Sequence, residues 1–154
     1  MFGEEFKQFL APCDVVWHAG DFGGGFDFVE SIRNFKPLVG VHGNCDGMDT
    51  RREFPEYQSF TIEGVSVLMM HIGGSPGHYY PRAAQLLDAV KPQIFVCGHS
   101  HILKVMNDAK RNLLYINPGA AGRQGWQPER TALRFKIEKG NISDMEVFRL
   151  PMNA

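Results

Sequence analysis

Four apolar segments of this sequence each end in a turn that contains a polar side chain able to bind a metal ion, usually beside glycine. In the clearest case, the apolar run 94–97 predicts a buried strand, and two histidines follow it, two positions apart. Ligands of open α/β sheets bind outside the carboxyl ends of the strands, so turns of this kind predict one shared site. The four turns are His18-Ala19-Gly20-Asp21, Gly43-Asn44-Cys45-Asp46, Met70-His71-Ile72-Gly73-Gly74 and Gly98-His99-Ser100-His101.

The first two-thirds of the chain alternates helical and strand patterns, as α/β proteins do. Strands are predicted from Asp14 to His18, from Pro37 into the Asn44 turn, and from Gln93 into the His99 turn. Apolar residues at helical spacing predict three helices: one around Phe2, Phe6, Phe9 and Leu10, one around Phe28, Ile32 and Phe35, and one over residues 81–92.

The last third of the chain has an antiparallel β pattern. Strand-forming runs on either side of Lys139-Gly140 predict one hairpin there, and the runs 104–108 and 112–119 predict another. An earlier hairpin is predicted after Pro55, about Glu63-Gly64. No internal repeat or linker divides the sequence. We therefore predict one domain over residues 1–154, with an α/β fold of the α+β sandwich type.

Composition excludes several classes of protein. The 154 residues are 44% hydrophobic and 21% charged, which is typical of a globular chain with a sizeable core. A formal net charge of −1 does not favour nucleic-acid binding, and no segment predicts a membrane span or a signal peptide. The three cysteines form no CxxC pair, which indicates a reducing compartment and a cytoplasmic protein without a disulfide framework.

The polar residues of the turns form a chemically coherent set. A carboxylate, an amide oxygen and imidazoles suit manganese, iron, cobalt or zinc better than calcium, and a carboxylate can bridge two ions. Each residue also has a structural interpretation, because a lone histidine often packs and aspartates such as Asp21 or Asp46 often close turns. The candidate ligands are Asp21, Asn44, His71, His99 and His101.

Several other residues have weaker signals. His18 and His42 are predicted to lie within strands, with His18 close enough to Asp21 to orient it. His78 lies in a glycine-rich loop from which it can contact a substrate. Trp17 and Trp126 are predicted to pack in the interior. Arg123 and Arg130 fit a phosphate contact and a solvated surface equally well.

The motifs GD, GNCD, HIGG and GHSH, in this order, resemble those of the calcineurin-like metallophosphoesterases. They are most similar to the small bacterial and archaeal phosphodiesterase branch, which the retromer subunit Vps29 also resembles. The resemblance extends from Phe6 to Leu150 and includes the segment NPGAAG, residues 117–122. It implies two packed mixed β-sheets flanked by helices, with a two-metal centre at the strand ends.

The resemblance also implies roles for individual residues. Asp21 would bridge two divalent ions, with His101 on the first ion and the second ion bound by Asn44, His71 and His99. The ions would be manganese, with zinc, iron, cobalt or nickel as alternatives, about 3.5–4 Å apart. Water bridging them would hydrolyse a small phosphate ester, foremost a phosphodiester, without a protein nucleophile. Cys45 occupies the place where many relatives have the histidine that protonates the leaving group.

One departure from the family pattern affects the predicted activity. The family begins with a strand that ends in Asp-x-His, and no Asp-x-His precedes Asp21 here. We therefore expect the family's first strand to be missing. Our hypothesis is that Met1 is an internal methionine of a longer product. The alternative is a truncated form whose first metal site keeps only Asp21 and His101, so that one ion instead of two could be bound.

The alternative function is a catalytically impaired, Vps29-like scaffold with an incomplete metal site. A metallo-β-lactamase-like hydrolase lacks support, because Ile102 and Leu103 follow His101, and a zinc deaminase would need a CxxC pair. The oligomeric state is not determined by the sequence, and the apolar strands near the C-terminus would allow a homodimer.

Overall fold

The computed structural model describes residues 3–153, which form four helices and nine strands. Helices alternate with strands or strand pairs as far as β5, and only strands follow, in agreement with the predicted pattern. The helices are α1 (Glu4–Leu10), α2 (Gly25–Arg33), α3 (Met48–Glu53) and α4 (Pro81–Val90). The strands are β1 (Val16–His18), β2 (Leu38–Gly40), β3 (Tyr57–Ile62), β4 (Val65–Met70), β5 (Ile94–Val96), β6 (Leu103–Asp108), β7 (Leu113–Pro118), β8 (Glu129–Glu138) and β9 (Asn141–Pro151).

The central layer is a five-stranded mixed sheet in the order β3-β4-β5-β7-β6. Its three inner strands, β4, β5 and β7, are parallel, whereas β3 and β6 pair antiparallel at the two edges. In the β4–β5 register, Met69 lies opposite Val96. Both strands therefore end at the same edge of the sheet, which brings the turns that contain His71 and His99 together.

A second β layer covers one face of the central sheet. It contains the parallel pair β1–β2 and the antiparallel pair β8–β9. The predicted fold class is confirmed, since a mixed sheet is flanked by helices and by further strands. Within residues 3–153 the second layer consists of two separate ladders, β1–β2 and β8–β9, because no described strand pairs with a strand of each ladder.

Side-chain alternation along β4 divides the core between the two faces of the central sheet. Leu68 and Met70 point to the face covered by α4, where they join Leu87 in one apolar cluster. Val67 and Met69 point to the other face and pack with the strands of the second layer. Among the 3–153 residues, no helix is both long and apolar enough to cross a membrane.

Two of the predicted hairpins have the turn geometry that their sequences favour. Glu63 and Gly64 have φ values of 49° and 80°, and Lys139 and Gly140 have φ values of 49° and 82°. Positive φ at both central residues is typical of the type I′ turn, whose twist matches that of the flanking strands. Glycine adopts such angles readily at the second position.

The structure corrects two expectations from the sequence and adds one helix that the sequence did not predict. His42 lies outside a strand, because β2 ends at Gly40 and the chain turns toward Phe54, whose carbonyl lies 2.9 Å from His42 Nδ1. Trp126 is not packed, since 73% of it is exposed. Helix α3 was not predicted, because its six residues contain one buried side chain and no apolar period. Trp17 packs against Phe60 and Phe135 as predicted, and Phe2 lies outside the described residues.

Candidate metal centre

His71 is the first residue after β4, and its ring is fixed by the turn that follows β1. Its Nδ1 lies 2.7 Å from the carbonyl oxygen of Ala19, to which it donates its proton. Burial lowers the pKa of His71, which favours the neutral ring. With the proton on Nδ1, the lone pair of Nε2 faces the candidate centre, as in histidines whose other nitrogen is oriented by a backbone carbonyl.

Oxygen atoms from two other turns meet this lone pair. His71 Nε2 lies 3.0 Å from Asn44 Oδ1 and 3.1 Å from Asp21 Oδ2. His99 Nδ1 lies 3.1 Å from the same amide oxygen of Asn44. The ligand atoms of Asp21, His71 and His99 all lie within 4.8 Å of one another.

The donor set fits a divalent cation. Two oxygen acceptors, Asn44 Oδ1 and Asp21 Oδ2, lie beside the lone pair of His71 Nε2. All three atoms are electron-rich and repel one another unless a positive charge lies among them. Nitrogen and oxygen donors of this kind are those that first-row divalent metals accept. The residues present are thus suited to bind one ion through Asp21, Asn44, His71 and His99.

Backbone conformation sets the candidate ligands apart from ordinary loop residues. Asp21, His99 and His101 have φ values of 57°, 68° and 61°, in the left-handed region that non-glycine residues seldom adopt. Residues kept in this region are concentrated at functional sites, where the surrounding structure compensates for their strain. Three of the five predicted ligands are therefore fixed in conformations that packing alone rarely requires.

Asp46 joins the turns that contain Asp21 and Asn44. Its carboxylate accepts hydrogen bonds from the backbone N–H groups of Asp21, Phe22 and Gly43 at 2.9, 2.8 and 2.7 Å. The side chain is 9% exposed, so these charge-assisted bonds form in a mostly dry setting. Closing its own turn explains only the bond that Asp46 accepts from Gly43. The bonds from Asp21 and Phe22 connect this turn to the one that follows β1.

The GNCD turn has a further support that sequence reasoning missed. Arg51 of α3 donates from Nε to the carbonyl of Asp46 at 2.8 Å and from Nη2 to that of Asn44 at 3.1 Å. No signal in the sequence marked Arg51, because α3 itself was not predicted. The guanidinium fixes the carbonyl side of the turn, and the Asp46 carboxylate fixes its N–H side.

Two glycines allow the turns to approach one another. A Cβ atom on Gly43 would overlap the carboxylate of Asp21, and one on Gly20 would lie 2.7 Å from His71 Nδ1. Gly20 also has a φ of 99°, which side chains resist. The glycines of these motifs are therefore required by the packing of the ligand-bearing turns.

His101 lies apart from the other predicted ligands. Its Nδ1 is 2.8 Å from Oε1 of Gln127, whose own Nε2 donates to the carbonyl of Gln124 at 2.7 Å. Within the described part of the chain, the group of clustered carboxylate and imidazole ligands contains Asp21, His71 and His99 but not His101. Gln127 is 5% exposed and orients the His101 ring, a role that no sequence pattern indicated.

Asn117 of the NPGAAG segment fixes the GHSH turn by hydrogen bonds. Its Nδ2 donates to the carbonyl of Gly98 and to Ser100 Oγ, both at 3.1 Å. The side chain is fully buried, so these bonds fix the turn against the end of β7. Arg130 instead donates to the Ala121 carbonyl and covers the ring of Phe6, an arrangement that explains its presence without a phosphate.

A family model described as the calcineurin-like phosphoesterase superfamily domain matches residues 3–140. The chain belongs to the calcineurin-like phosphoesterase superfamily. The resemblance read from the four motifs is thereby confirmed. The superfamily is metal-dependent, which agrees with the donor set at the strand ends.

Solved structures with this calcineurin-like phosphoesterase fold cover almost the whole chain. Vps29 from Entamoeba histolytica, complexed with Zn²⁺, has a TM-score of 0.73 and 17% identity over 99% of this chain and 91% of that one. An archaeal phosphodiesterase has a TM-score of 0.70 and 19% identity, covering 94% and 90% of the two chains. A predicted phosphoesterase from Streptococcus pneumoniae has a TM-score of 0.64 and 18% identity, covering 97% and 80%. A search of curated protein sequences gave no match.

Cys45 lies at the edge of the candidate metal centre. Its backbone N–H donates to Asp21 Oδ1 at 2.8 Å, and Asn44 Nδ2 lies 3.5 Å from its sulfur. The nearby Asp21 carboxylate raises the pKa of the Cys45 thiol. The sulfur therefore carries its proton at neutral pH and is exposed to solvent.

The three free thiols are expected to react at different rates with N-ethylmaleimide. Cys45 is exposed, whereas Cys97 is fully buried and burial raises its pKa to about 11. Because the thiolate is the reactive species and needs access, Cys45 should be labelled before Cys97. Timed labelling followed by peptide mass spectrometry measures the order. Labelling of Cys97 before Cys45 in the folded chain would contradict the structure, and the unfolded chain should show no such order.

Acid is expected to destabilise the folded chain through His18, whose ring stacks on Phe22 at 3.9 Å. Burial lowers the pKa of His18 from 6.5 to about 4. The unfolded chain thus binds more protons between these values, so the free energy of unfolding falls as the pH drops from 6.5 to 4. The loss should be on the order of 3 kcal/mol. Urea unfolding of the metal-free chain at several pH values measures it.

A matched variant tests the assignment to His18. The Nδ1 atom of His18 accepts the backbone N–H of Gly20 at 3.2 Å, and the side-chain oxygen of asparagine can replace this acceptor. His18→Asn should therefore show a weaker dependence of unfolding free energy on pH. An unchanged dependence would assign the effect to other groups.

Proposed function

We propose that this chain is a metal-dependent phosphodiesterase that hydrolyses small phosphate esters. The observation that carries this proposal is that Asn44 Oδ1 and Asp21 Oδ2 lie 3.0 and 3.1 Å from His71 Nε2, with His99 in the same ligand group. A divalent ion bound there supplies Lewis-acid stabilisation of the phosphoryl oxygens and lowers the pKa of an attacking water. Manganese is the proposed ion, with zinc, iron, cobalt or nickel as alternatives.

The ligands proposed for this ion are Asp21, Asn44, His71 and His99. Asp21 has a second carboxylate oxygen with which it can bridge to another ion, and we propose His101 as a ligand of that ion. Four side chains converge for one ion, whereas Asp21 and His101 alone would bind the other, so we expect about one tightly bound ion per chain.

The chain's own residues have distinct tasks in this reaction. The Ala19 carbonyl fixes the His71 tautomer, and the Asp46 carboxylate fixes the turn that carries Asp21. The Cys45 thiol lies beside Asp21, to which its backbone N–H donates, and it can give its proton to the leaving-group oxygen. Because water is the nucleophile, no serine or cysteine needs to form a covalent intermediate. We place the protein in the cytoplasm, where its three free cysteines would stay reduced.

The test is hydrolysis of bis(4-nitrophenyl) phosphate by the purified chain loaded with manganese. Release of 4-nitrophenol should require the metal and should stop when a chelator removes it. Elemental analysis after desalting gives the number of ions per chain. Bound metal without metal-dependent hydrolysis would overturn the proposed activity.

A second candidate function is a Vps29-like scaffold that keeps the fold and an incomplete centre. The small number of ligands for the bridged ion supports it, because only Asp21 and His101 would bind that ion, and the clustered ligands of the described residues do not include His101. Exposed Trp126 and Ile102 near this side of the molecule offer apolar contacts to a partner. The hydrolysis experiment separates the two functions, since a scaffold would release no nitrophenol even with an ion bound.

A further inference from the structure

A pocket of about 260 Å³ opens beside the candidate metal centre. His99, one of the candidate ligands, forms part of its wall, so the pocket adjoins the candidate metal centre. Its other walls come from the turn after β4 and from the start of β6. The side chains of interest along these walls are Ser75, His78, Tyr80, Ser100, Ile102 and Lys104.

The polar groups of this pocket are those that bind anions. Lys104 contributes a positive charge, and within residues 3–153 it forms no ion pair. His78 contributes an imidazole N–H, and the hydroxyls of Ser75 and Ser100 are further donors. No aspartate or glutamate of the described residues lines the pocket. An anionic group would therefore meet donors and a cation without a repelling carboxylate.

The framework of the pocket is fixed by hydrogen bonds. Lys104 pairs with Asn117 in the β6–β7 ladder. The turn that carries His78 is closed by a bond from the His78 N–H to the Ser75 carbonyl at 2.8 Å, and Tyr115 donates to the Gly74 carbonyl at 2.5 Å. Side chains whose backbone positions are fixed by a strand or a closed turn are suited to discriminate between substituents of a substrate.

We propose that this pocket binds a second anionic group of the substrate, with Lys104 and His78 as specificity-determining residues. The substrates are then phosphate esters whose other substituent carries a phosphate or a carboxylate. This inference rests on the proposed phosphodiesterase function, because the first phosphate is taken to lie at the metal centre. Half-exposed Tyr80 and Ile102 provide the apolar wall along which the linking carbons lie.

The first experiment compares three 4-nitrophenyl phosphodiesters whose other substituent is ethyl, 2-carboxyethyl or 2-phosphonoethyl. The wild-type chain should hydrolyse at least one anionic ester with a kcat/KM about fivefold higher than that of the ethyl ester, the scale of a partly exposed charge pair. The preferred anionic ester distinguishes carboxylate from phosphate as the bound group. Added salt should reduce the preference, since an exposed charge pair is screened.

Lys104→Met should remove the preference, because it should raise KM for the anionic ester about fivefold more than KM for the ethyl ester. Lys110→Met is the matched control, because Lys110 lies in the β6–β7 turn, is exposed and does not line the pocket. A wild-type chain without preference for either anionic ester would overturn the proposal. So would equal effects of the Lys104 and Lys110 substitutions.

A binding experiment keeps this inference separate from the proposed activity. Calorimetry of the manganese-loaded chain compares 3-phosphonopropionate, which has two anionic groups, with propylphosphonate, which has one. Tighter binding of the first, lost in Lys104→Met, supports the pocket even when no ester is hydrolysed. Equal binding of the two ligands by the wild-type chain overturns the pocket proposal, whatever the rate of hydrolysis.

Discussion

His71→Ala is expected to lower manganese-dependent phosphodiester hydrolysis by at least about 100-fold, since loss of a residue that merely orients a metal ligand already costs 10–100-fold. The substitution removes the Nε2 lone pair that lies 3.0 Å from Asn44 Oδ1 and 3.1 Å from Asp21 Oδ2. Metal content should fall with activity, because the remaining ligands lose their buried nitrogen donor. Initial rates and elemental analysis of the same sample measure both.

His42→Gln is the matched control for this prediction. His42 is adjacent to the same turn in sequence, but its Nδ1 contacts the Phe54 carbonyl and it lies outside the ligand group. Glutamine can replace this hydrogen bond, so metal content and rate should stay close to those of the wild-type chain. Equal metal content and equal rates in His71→Ala and in the wild-type chain would rule out His71 as a ligand.

Asp46→Ala is expected to destabilise the chain by about 4 kcal/mol, because three buried backbone N–H groups would lose a charged acceptor. These groups belong to Asp21, Phe22 and Gly43. Metal affinity should fall as well, by about 10–100-fold, since the turns that carry Asp21 and Asn44 would no longer be joined. Urea unfolding of the metal-free chain and metal titration give the two values separately.

Asp49→Ala provides the comparison for Asp46→Ala. Asp49 is an exposed residue of α3, and its contact with Arg52 is a surface pair at 4.0 Å. Its loss should change the free energy of unfolding by less than about 0.5 kcal/mol. If the two alanine variants unfold at the same urea concentration, the carboxylate of Asp46 does not join the turns in the way that its hydrogen bonds indicate.

The elements and the positions of the polar residues were largely predictable from local sequence. Strands β4 and β5 are apolar runs that end at a polar turn, so the positions of His71 and His99 follow from the pattern. The exposed position of Trp126 was not predicted, because a large aromatic residue usually packs and local sequence does not show whether a partner surface exists. Helix α3 and its Arg51 were missed, since a six-residue helix has too few turns for an apolar period.

By itself, the sequence determined which segments form strands, which turns follow them and which side chains can bind a metal. These properties depend on apolar periodicity and turn chemistry within a few residues. Only the tertiary structure decided that Asp21, Asn44, His71 and His99 share one centre while His101 turns to Gln127. The contacts responsible join distant residues, such as Asp46 with Asp21 across 25 positions and His71 with Ala19 across 52. Such contacts depend on the order and register of the strands, which local sequence patterns do not specify.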